Sequence, residues 1–268
     1  MTLSKSQLNE SIKIIKEFIR DKVGKINSEG VVLGLSGGLD SSTVLKLCID
    51  ALGEEKVHCI IMPETASPKA DMEDARWLVD EWGVNSEEIN INSILEGFPV
   101  NHDEKLAYAN LKARVRMCLE YYYANIENSL VVGTSNKSEI LLGYTTKFGD
   151  SAADFLPIGD VYKTDVRQIA EKIGVPDRFL DKVPRAGLWE GQTDEDELGH
   201  TYDEIDKVLK GIEKQKDLSK IAEKNGLITE SVEDIKNMVE KSSHKRKMPP
   251  IVKLRSRTVG KDWREFTH

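Results

Sequence analysis

The 268-residue chain is long enough to bury a substantial core, in one large α/β domain with an elaborated end. With 39% hydrophobic and 31% charged residues it does not pair low hydrophobicity with high net charge, which excludes a disordered chain. The net charge of −8 is uneven: Lys241 to His268 hold nine Lys or Arg against Asp262 and Glu265, a local +7 that leaves −15 for the first 240 residues. A nucleic-acid binder would carry a basic domain face, so a small anionic ligand or an acidic neighbouring subunit suits this tail better, with a merely solvated tail as the equal alternative. Met1 to Lys16 lacks an apolar run of signal-peptide length, and no later segment approaches the roughly 20 apolar residues that cross a bilayer, so a cytoplasmic location is expected. Cys48, Cys59 and Cys118 are widely spaced among apolar neighbours. They are expected as small buried hydrophobes, not as disulfides or a local metal site.

In chain order, Ser4 to Val23 spaces Leu8, Ile12, Ile15, Phe18 and Ile19 by three and four, an amphipathic helix opening from a serine cap. Val31 to Leu35 is a short buried strand, followed by a glycine turn and a helix over Ser41 to Leu52. Val57 to Met62 is a second strand closed by Pro63, and Pro68 to Trp82 is a helix ending at Gly83. A weaker strand is expected near Glu88 to Ile91, then a long helix over about Asp103 to Ala124 and a strand at Leu130 to Val132. Such alternation predicts an α/β fold, a doubly wound parallel sheet with ligands at the strand C-termini. Val183 to His200 has no apolar period and predicts a long loop, of the kind that serves as a lid. Thr201 to Lys210, Leu218 to Asn225 and Thr229 to Val239 are amphipathic and predict a C-terminal helical extension. The whole, 1–268, is expected as a single domain: a nucleotide-binding core over about 24–182, the lid loop 183–200, and the extension with its basic tail over 201–268.

The most informative segment is Leu35-Ser36-Gly37-Gly38-Leu39-Asp40-Ser41-Ser42, between strand and helix. Adjacent glycines allow a tight turn and close approach of a ligand, while helix-start N–H groups and serine hydroxyls suit phosphate oxygens. No G-x-x-x-x-G-K-[ST] occurs, which excludes a Walker-type loop. Asp40 beside a polyphosphate requires a cation, and Mg²⁺ prefers such oxygen ligands.

S-G-G-x-D-S after a strand resembles the pyrophosphate-binding loop of the N-type ATP pyrophosphatases, enzymes that adenylate a substrate. Within that superfamily, Lys112 to Met117, Gly133 to Glu139, Gly143 to Asp150 with Asp154, and Pro157 to Lys163 resemble successive motifs of the NAD synthetase family. Gln192 to Glu195, Leu198-Gly199, Tyr202 to Asp206 and His244 to Arg246 continue the match, from about Ser4 to Pro250. The resemblance implies a Rossmann-like sheet of the adenine nucleotide alpha hydrolase type. It also implies the last step of NAD biosynthesis: ATP-dependent amidation of deamido-NAD by ammonia, giving NAD, AMP and pyrophosphate.

Carried over by residue, the resemblance implies that Gly34, Leu35, Ser36, Gly37, Gly38, Leu39, Asp40 and Ser41, with Thr134 and Lys163, hold ATP. Asp40 and Glu139 ligate Mg²⁺, and Asp40 and Lys163 are catalytic. Arg114, Lys147, Asp154, His244 and Lys245 contact deamido-NAD at the interface of a homodimer, with His244 and Lys245 closing over it and the tail mobile until ligand binds. After Lys182-Val183-Pro184 the family usually has a small hydroxyl residue; here Arg185 either reaches the same phosphates or points away. Asp150 and Asp154 are both candidates to deprotonate ammonium. No residues before Ser4 can supply a glutaminase, so free ammonia or ammonia from a partner chain is expected. Neither nucleic acid nor membrane is expected as a partner. A tRNA-thiolating relative is disfavoured by the acidic body and the absence of paired cysteines. A binding module without turnover would need only the phosphate loop.

Overall fold

A computed structural model of the chain describes residues 3–258 except 186, 188 and 190. The last part of the basic tail, 259–268, lies outside the described residues. The chain begins with α1 (Lys5–Lys25), opened by a capping box in which Gln7 N donates to Ser4 Oγ at 3.3 Å and Ser4 N to Gln7 Oε1 at 3.0 Å. Then follow β1 (Gly30–Gly34), α2 (Leu39–Leu52), β2 (Val57–Ile61), α3 (Lys69–Trp82), β3 (Asn85–Glu88), α4 (Asn92–Glu96), α5 (Lys105–Ile126) and β4 (Ser129–Val131). The second half is helical: α6 (Lys137–Leu142), α7 (Lys163–Lys172), α8 (Asp177–Leu180), α9 (Asp194–Leu198), α10 (Tyr202–Glu213), α11 (Leu218–Asn225) and α12 (Thr229–Lys241).

The four strands are parallel in the order β3-β2-β1-β4. Successive strand residues alternate between two cores, because side chains on a strand point to opposite faces. Val31, Leu33, Cys59 and Ile61 join Ile19 of α1, Leu45 of α2 and Ile169 of α7 on one face. Val32, Ile60 and Val131 join Leu95 of α4 and Val115 of α5 on the other. The expected doubly wound α/β fold is therefore present. Chain direction across the sheet reverses between β1 and β4, where loops diverge and leave a crevice at the strand C-termini.

Three differences from the sequence reading have physical causes. The third strand is Asn85–Glu88, not Glu88 to Ile91, and pairs His58↔Asn85 through Ile61↔Glu88. It is an exposed polar edge strand, so no apolar run marks it. Asp194–Leu198 is a helix inside the expected lid loop, capped by Thr193 Oγ1 accepting from Asp196 N at 3.2 Å. Cys118 is exposed, unlike buried Cys48 and Cys59, because it lies on the outer side of α5. Among the described residues no helix is long and apolar enough to cross a membrane.

The extension has its own core of Tyr202, Ile205, Val208, Ile221, Val232 and Ile235, closed by Leu142 of α6 and by Tyr162. A buried carboxylate stitches it to the α/β core. Asp206, 2% exposed, accepts from Ser138 Oγ, from Thr164 N at 2.8 Å and from Thr164 Oγ1 at 2.7 Å. Ser138 Oγ in turn accepts from Lys163 N at 3.0 Å. Asp206→Ala leaves buried donors of α6 and α7 without an acceptor, at a cost of roughly 3 kcal/mol. We expect a Tm loss of about 6 °C or more by calorimetry. Asp206→Asn, which still accepts, should lose less; equal losses would show that the donors do not matter.

Candidate active site

The β1–α2 loop provides an anion cradle. Gly38 caps α2 without a side-chain hydrogen bond, so the helix's first N–H groups are not covered by a cap. Ser36 Oγ lies 3.0 Å from Ser41 Oγ and accepts from Gly38 N at 3.2 Å, which fixes the loop. Gly37 has φ +74°, and a Cβ there would strike the carbonyl oxygen of Asp71. Glycine is therefore needed twice over, for the left-handed backbone and for the contact with α3.

Asp40, in the first turn of α2, faces the loop that follows β4. There Asn136 caps α6 in a capping box: Glu139 N donates to Asn136 Oδ1 at 3.0 Å and Asn136 N to Glu139 Oε2 at 3.3 Å. Asn136 Nδ2 also donates to Asp40 Oδ1 at 3.2 Å. Lys163, first residue of α7 and 7% exposed, pairs with Asp40 and with Glu139 Oε1 at 3.3 Å. Three separate segments thus meet on one ammonium. Burial opposes the Lys163 charge, but Asp40, then Glu139 and Asp194, outweigh it and hold its pKa above the ordinary lysine value. Burial, reinforced by Asp40 and Asp194 and opposed by Lys163, pushes Glu139 upward.

Among the described residues no group of three or more His, Cys, Asp or Glu is arranged as a metal site. Two carboxylates beside a phosphate cradle nevertheless match Mg²⁺, which is typically bound through one or two carboxylates and phosphate oxygens. The expected metal pair fits on that chemistry.

These groups line a cavity of about 710 Å³ at the switch point, a size typical of ligand sites. Gly34, Leu35, Ser36, Gly38, Leu39, Asp40, Ser41, Thr134, Glu139, Lys163 and Lys245 line it; Gly37 turns its back to α3. Of the five residues expected at deamido-NAD, only Lys245 is in that wall, its Nζ donating to Gly143 O and Thr145 O at 2.7 Å each. Arg114, Lys147 and His244 form a chain outside it: Arg114 Nη2 donates to Lys147 O at 3.2 Å, and Lys147 Nζ to His244 O at 2.9 Å. Asp154 stands apart, accepting from Val131 N at 2.8 Å at the end of β4. Asp150 is in the cavity wall and Asp154 is not. The tail, expected to be mobile, is fastened at its start. Arg246 Nη1 donates to Leu141 O at 2.6 Å and Ser242 Oγ to the same carbonyl at 3.1 Å, where helix α6 ends and acceptors are spare.

Arg185 points into the site. Its Nε and Nη2 donate to Asp71 Oδ2 and Oδ1 at 3.0 and 2.9 Å, and Lys182 Nζ bridges Asp71 Oδ1 at 2.8 Å to Gly37 O at 2.6 Å. Asp71 escapes sequence reading because a carboxylate in an amphipathic helix carries no local signal. Asn136 carries a local signal, a capping residue three positions before a glutamate.

Deeper in the same wall Arg116 donates to Met62 O at 3.3 and 3.2 Å beside Glu120. Burial, opposed by Arg116, pushes the Glu120 carboxyl from about 4.5 up to about 8. A raised folded-state pKa means that between these values the folded chain keeps a proton the unfolded chain has lost, so stability falls as pH rises through that window. Glu120→Gln removes this dependence. The Tm of the variant minus that of the wild type should grow from about pH 5 to about pH 8; a constant difference would refute the assignment.

The family model for NAD synthase matches residues 11–249. The chain is 49% identical over 247 residues to the NH(3)-dependent NAD(+) synthetase of Archaeoglobus fulgidus, covering 91% of this chain and 96% of that one. An NMN synthetase structure from Francisella tularensis superposes with a TM-score of 0.82 at 35% identity, over 91% of this chain and 98% of that chain. An NH3-dependent NAD synthetase from Campylobacter jejuni gives 0.77 at 35% identity, over 92% and 99%. With a glycine-rich loop, two acids and a lysine converging on a parallel sheet, and matched along almost its whole length, this chain belongs to the NAD synthase family of ligases.

Proposed function

We propose that this chain catalyses amidation of deamido-NAD by ammonia, with ATP as co-substrate and AMP and pyrophosphate as co-products. The observation that carries the reading is the convergence of Asp40, Glu139 and Lys163 beside the uncapped start of α2. The loop N–H groups and Ser36 and Ser41 hydroxyls bind the phosphates, and Thr134 and Lys163 hold the nucleotide. Lys163 counters charge that accumulates on the leaving pyrophosphate. The nicotinate carboxylate attacks the α-phosphorus in line, the α–β phosphoanhydride bond breaks, and pyrophosphate departs. Ammonia then attacks the carbonyl of the mixed anhydride, loses a proton and expels AMP. In this reading Asp150 takes that proton, a role supported by its position in the cavity wall, which Asp154 does not share. Asp40 and Glu139 would hold Mg²⁺, which when bound neutralises phosphate charge as a Lewis acid.

The same reading includes a homodimer in the cytoplasm whose interface carries part of the dinucleotide site. The position of Arg114, Lys147 and His244 outside the cavity supports it, as do exposed Tyr122 and Ile126 on α5 and Phe148 beside Lys147. We assign 183–200 the role of a lid, because Arg185, Trp189 and Asp194 all border the cavity.

Protein mixed with Mg²⁺, ATP, ammonium and deamido-NAD should give NAD, AMP and pyrophosphate in equal amounts. ADP formed with NAD would overturn the mechanism. Because one superposed structure is an NMN synthetase, nicotinate mononucleotide belongs in the same assay; a higher kcat/KM for it would reassign the substrate. Asp40→Asn and Glu139→Gln conserve volume and remove charge, and each should slow adenylation roughly 100-fold or more. Near-normal pyrophosphate release at limiting Mg²⁺ would remove that residue from the metal site.

A further inference from the structure

One oxygen of a buried carboxylate in the cavity wall has no hydrogen-bond donor. Asp194, the first residue of α9, is 4% exposed, and its Oδ1 makes no hydrogen bond. Its other oxygen accepts from Tyr202 Oη at 3.1 Å. Tyr144, whose hydroxyl is also near, donates that hydroxyl to Glu197. A buried carboxylate oxygen without a donor is costly and rare enough to require a reason.

Lys163 supplies one. Its ammonium lies 5.2 Å from the centre of the Tyr202 ring whose hydroxyl holds Asp194, so lysine, tyrosine and aspartate are neighbours. Lysine now occupies the space between Asp40 and Glu139. An ammonium and a divalent cation repel and cannot share those acids at close range. Nor can Lys163 move away uncompensated, since an unpaired charge at that depth is strongly unfavourable.

We propose that Asp194 Oδ1 receives the Lys163 ammonium when a divalent cation takes Asp40 and Glu139. The inference rests on the metal reading above. Asp194 is then a positioning residue. It lowers the barrier to cation exchange and keeps Lys163 pointed into the cavity, toward the phosphates. It also belongs to the segment assigned as a lid: Asp194 N donates to Pro184 O at 3.0 Å, one residue from Arg185.

The test is a double-mutant cycle read by metal binding rather than turnover. Mn²⁺ is titrated, with α,β-methylene-ATP present, and free Mn²⁺ is followed by electron paramagnetic resonance. Asp194→Asn in the wild-type background should weaken Mn²⁺ binding about 10-fold or more, because lysine then competes for the acids. In a Lys163→Met background, where no lysine competes, the same change should alter binding less than about 2-fold. No effect in the wild-type background, or equal effects in both, would overturn the proposal. Should Asp194→Asn fold poorly by circular dichroism, Asp194→Ser must give the same split. Unchanged Mn²⁺ affinity in Asp40→Asn and Glu139→Gln would instead show that the metal reading itself is wrong, and the inference with it.

Discussion

Two carboxylates, Asp40 and Glu139, are held side by side in a protein interior where like charges repel strongly. Lys163 makes this arrangement tolerable, and much of the remaining architecture serves to bring the three together. Asp40 comes from the first turn after β1, Glu139 from the first turn after the β4 loop, and Lys163 from the start of α7. In a sheet of order β3-β2-β1-β4, β1 and β4 are neighbours although nearly a hundred residues separate them. Their C-terminal loops therefore face one another across the switch point. The acid pair is a consequence of strand order.

Each member is also fixed locally. Glu139 completes the capping box of α6 through one oxygen and meets Lys163 through the other. Asn136 shares its side chain between that cap and Asp40. The backbone of Lys163 is pinned to Ser138, which is pinned to Asp206 of the extension. The helical extension is in this way part of the site's foundation, even though its core of Ile205, Val208 and Ile235 is separate from those of the sheet. Capping, which commonly contributes only to helix stability, here also aims a carboxylate at Lys163.

A second charge cluster fastens the opposite wall. Asp71 binds Lys182 and Arg185, and Lys182 reaches the Gly37 carbonyl, so helix α3, the β1–α2 loop and the segment that begins at Val183 share one knot. Arg185 stands where the resemblance implies a small hydroxyl residue. Its bidentate grip on a buried carboxylate is geometry that a small hydroxyl residue does not offer. The cationic head is thereby held at the cavity edge, within the same wall as the β1–α2 loop.

The sequence by itself determined the elements that bury apolar faces and the residues carried by short contiguous motifs. The short apolar runs of β1 and β2 and the three-four spacing in α1, α3, α5, α10 and α12 are local signals, and the Ser36 to Ser42 loop announces an anion site from seven consecutive residues. Asp40 stood out within that loop, and Glu139 through the resemblance of Gly133 to Glu139 to a family motif. The edge strand Asn85–Glu88, the helix at Asp194 and the exposure of Cys118 were not legible, because they depend on pairing, capping and facing that no apolar period records. Only the tertiary structure decided that Lys163 sits between the two acids, that Arg185 turns to Asp71, and that Lys245 lines the cavity while Arg114, Lys147 and His244 lie outside it. Those are contacts between segments tens of residues or more apart. Their partners are selected by the strand order and by the cost of burying a charge alone, not by anything written near each residue.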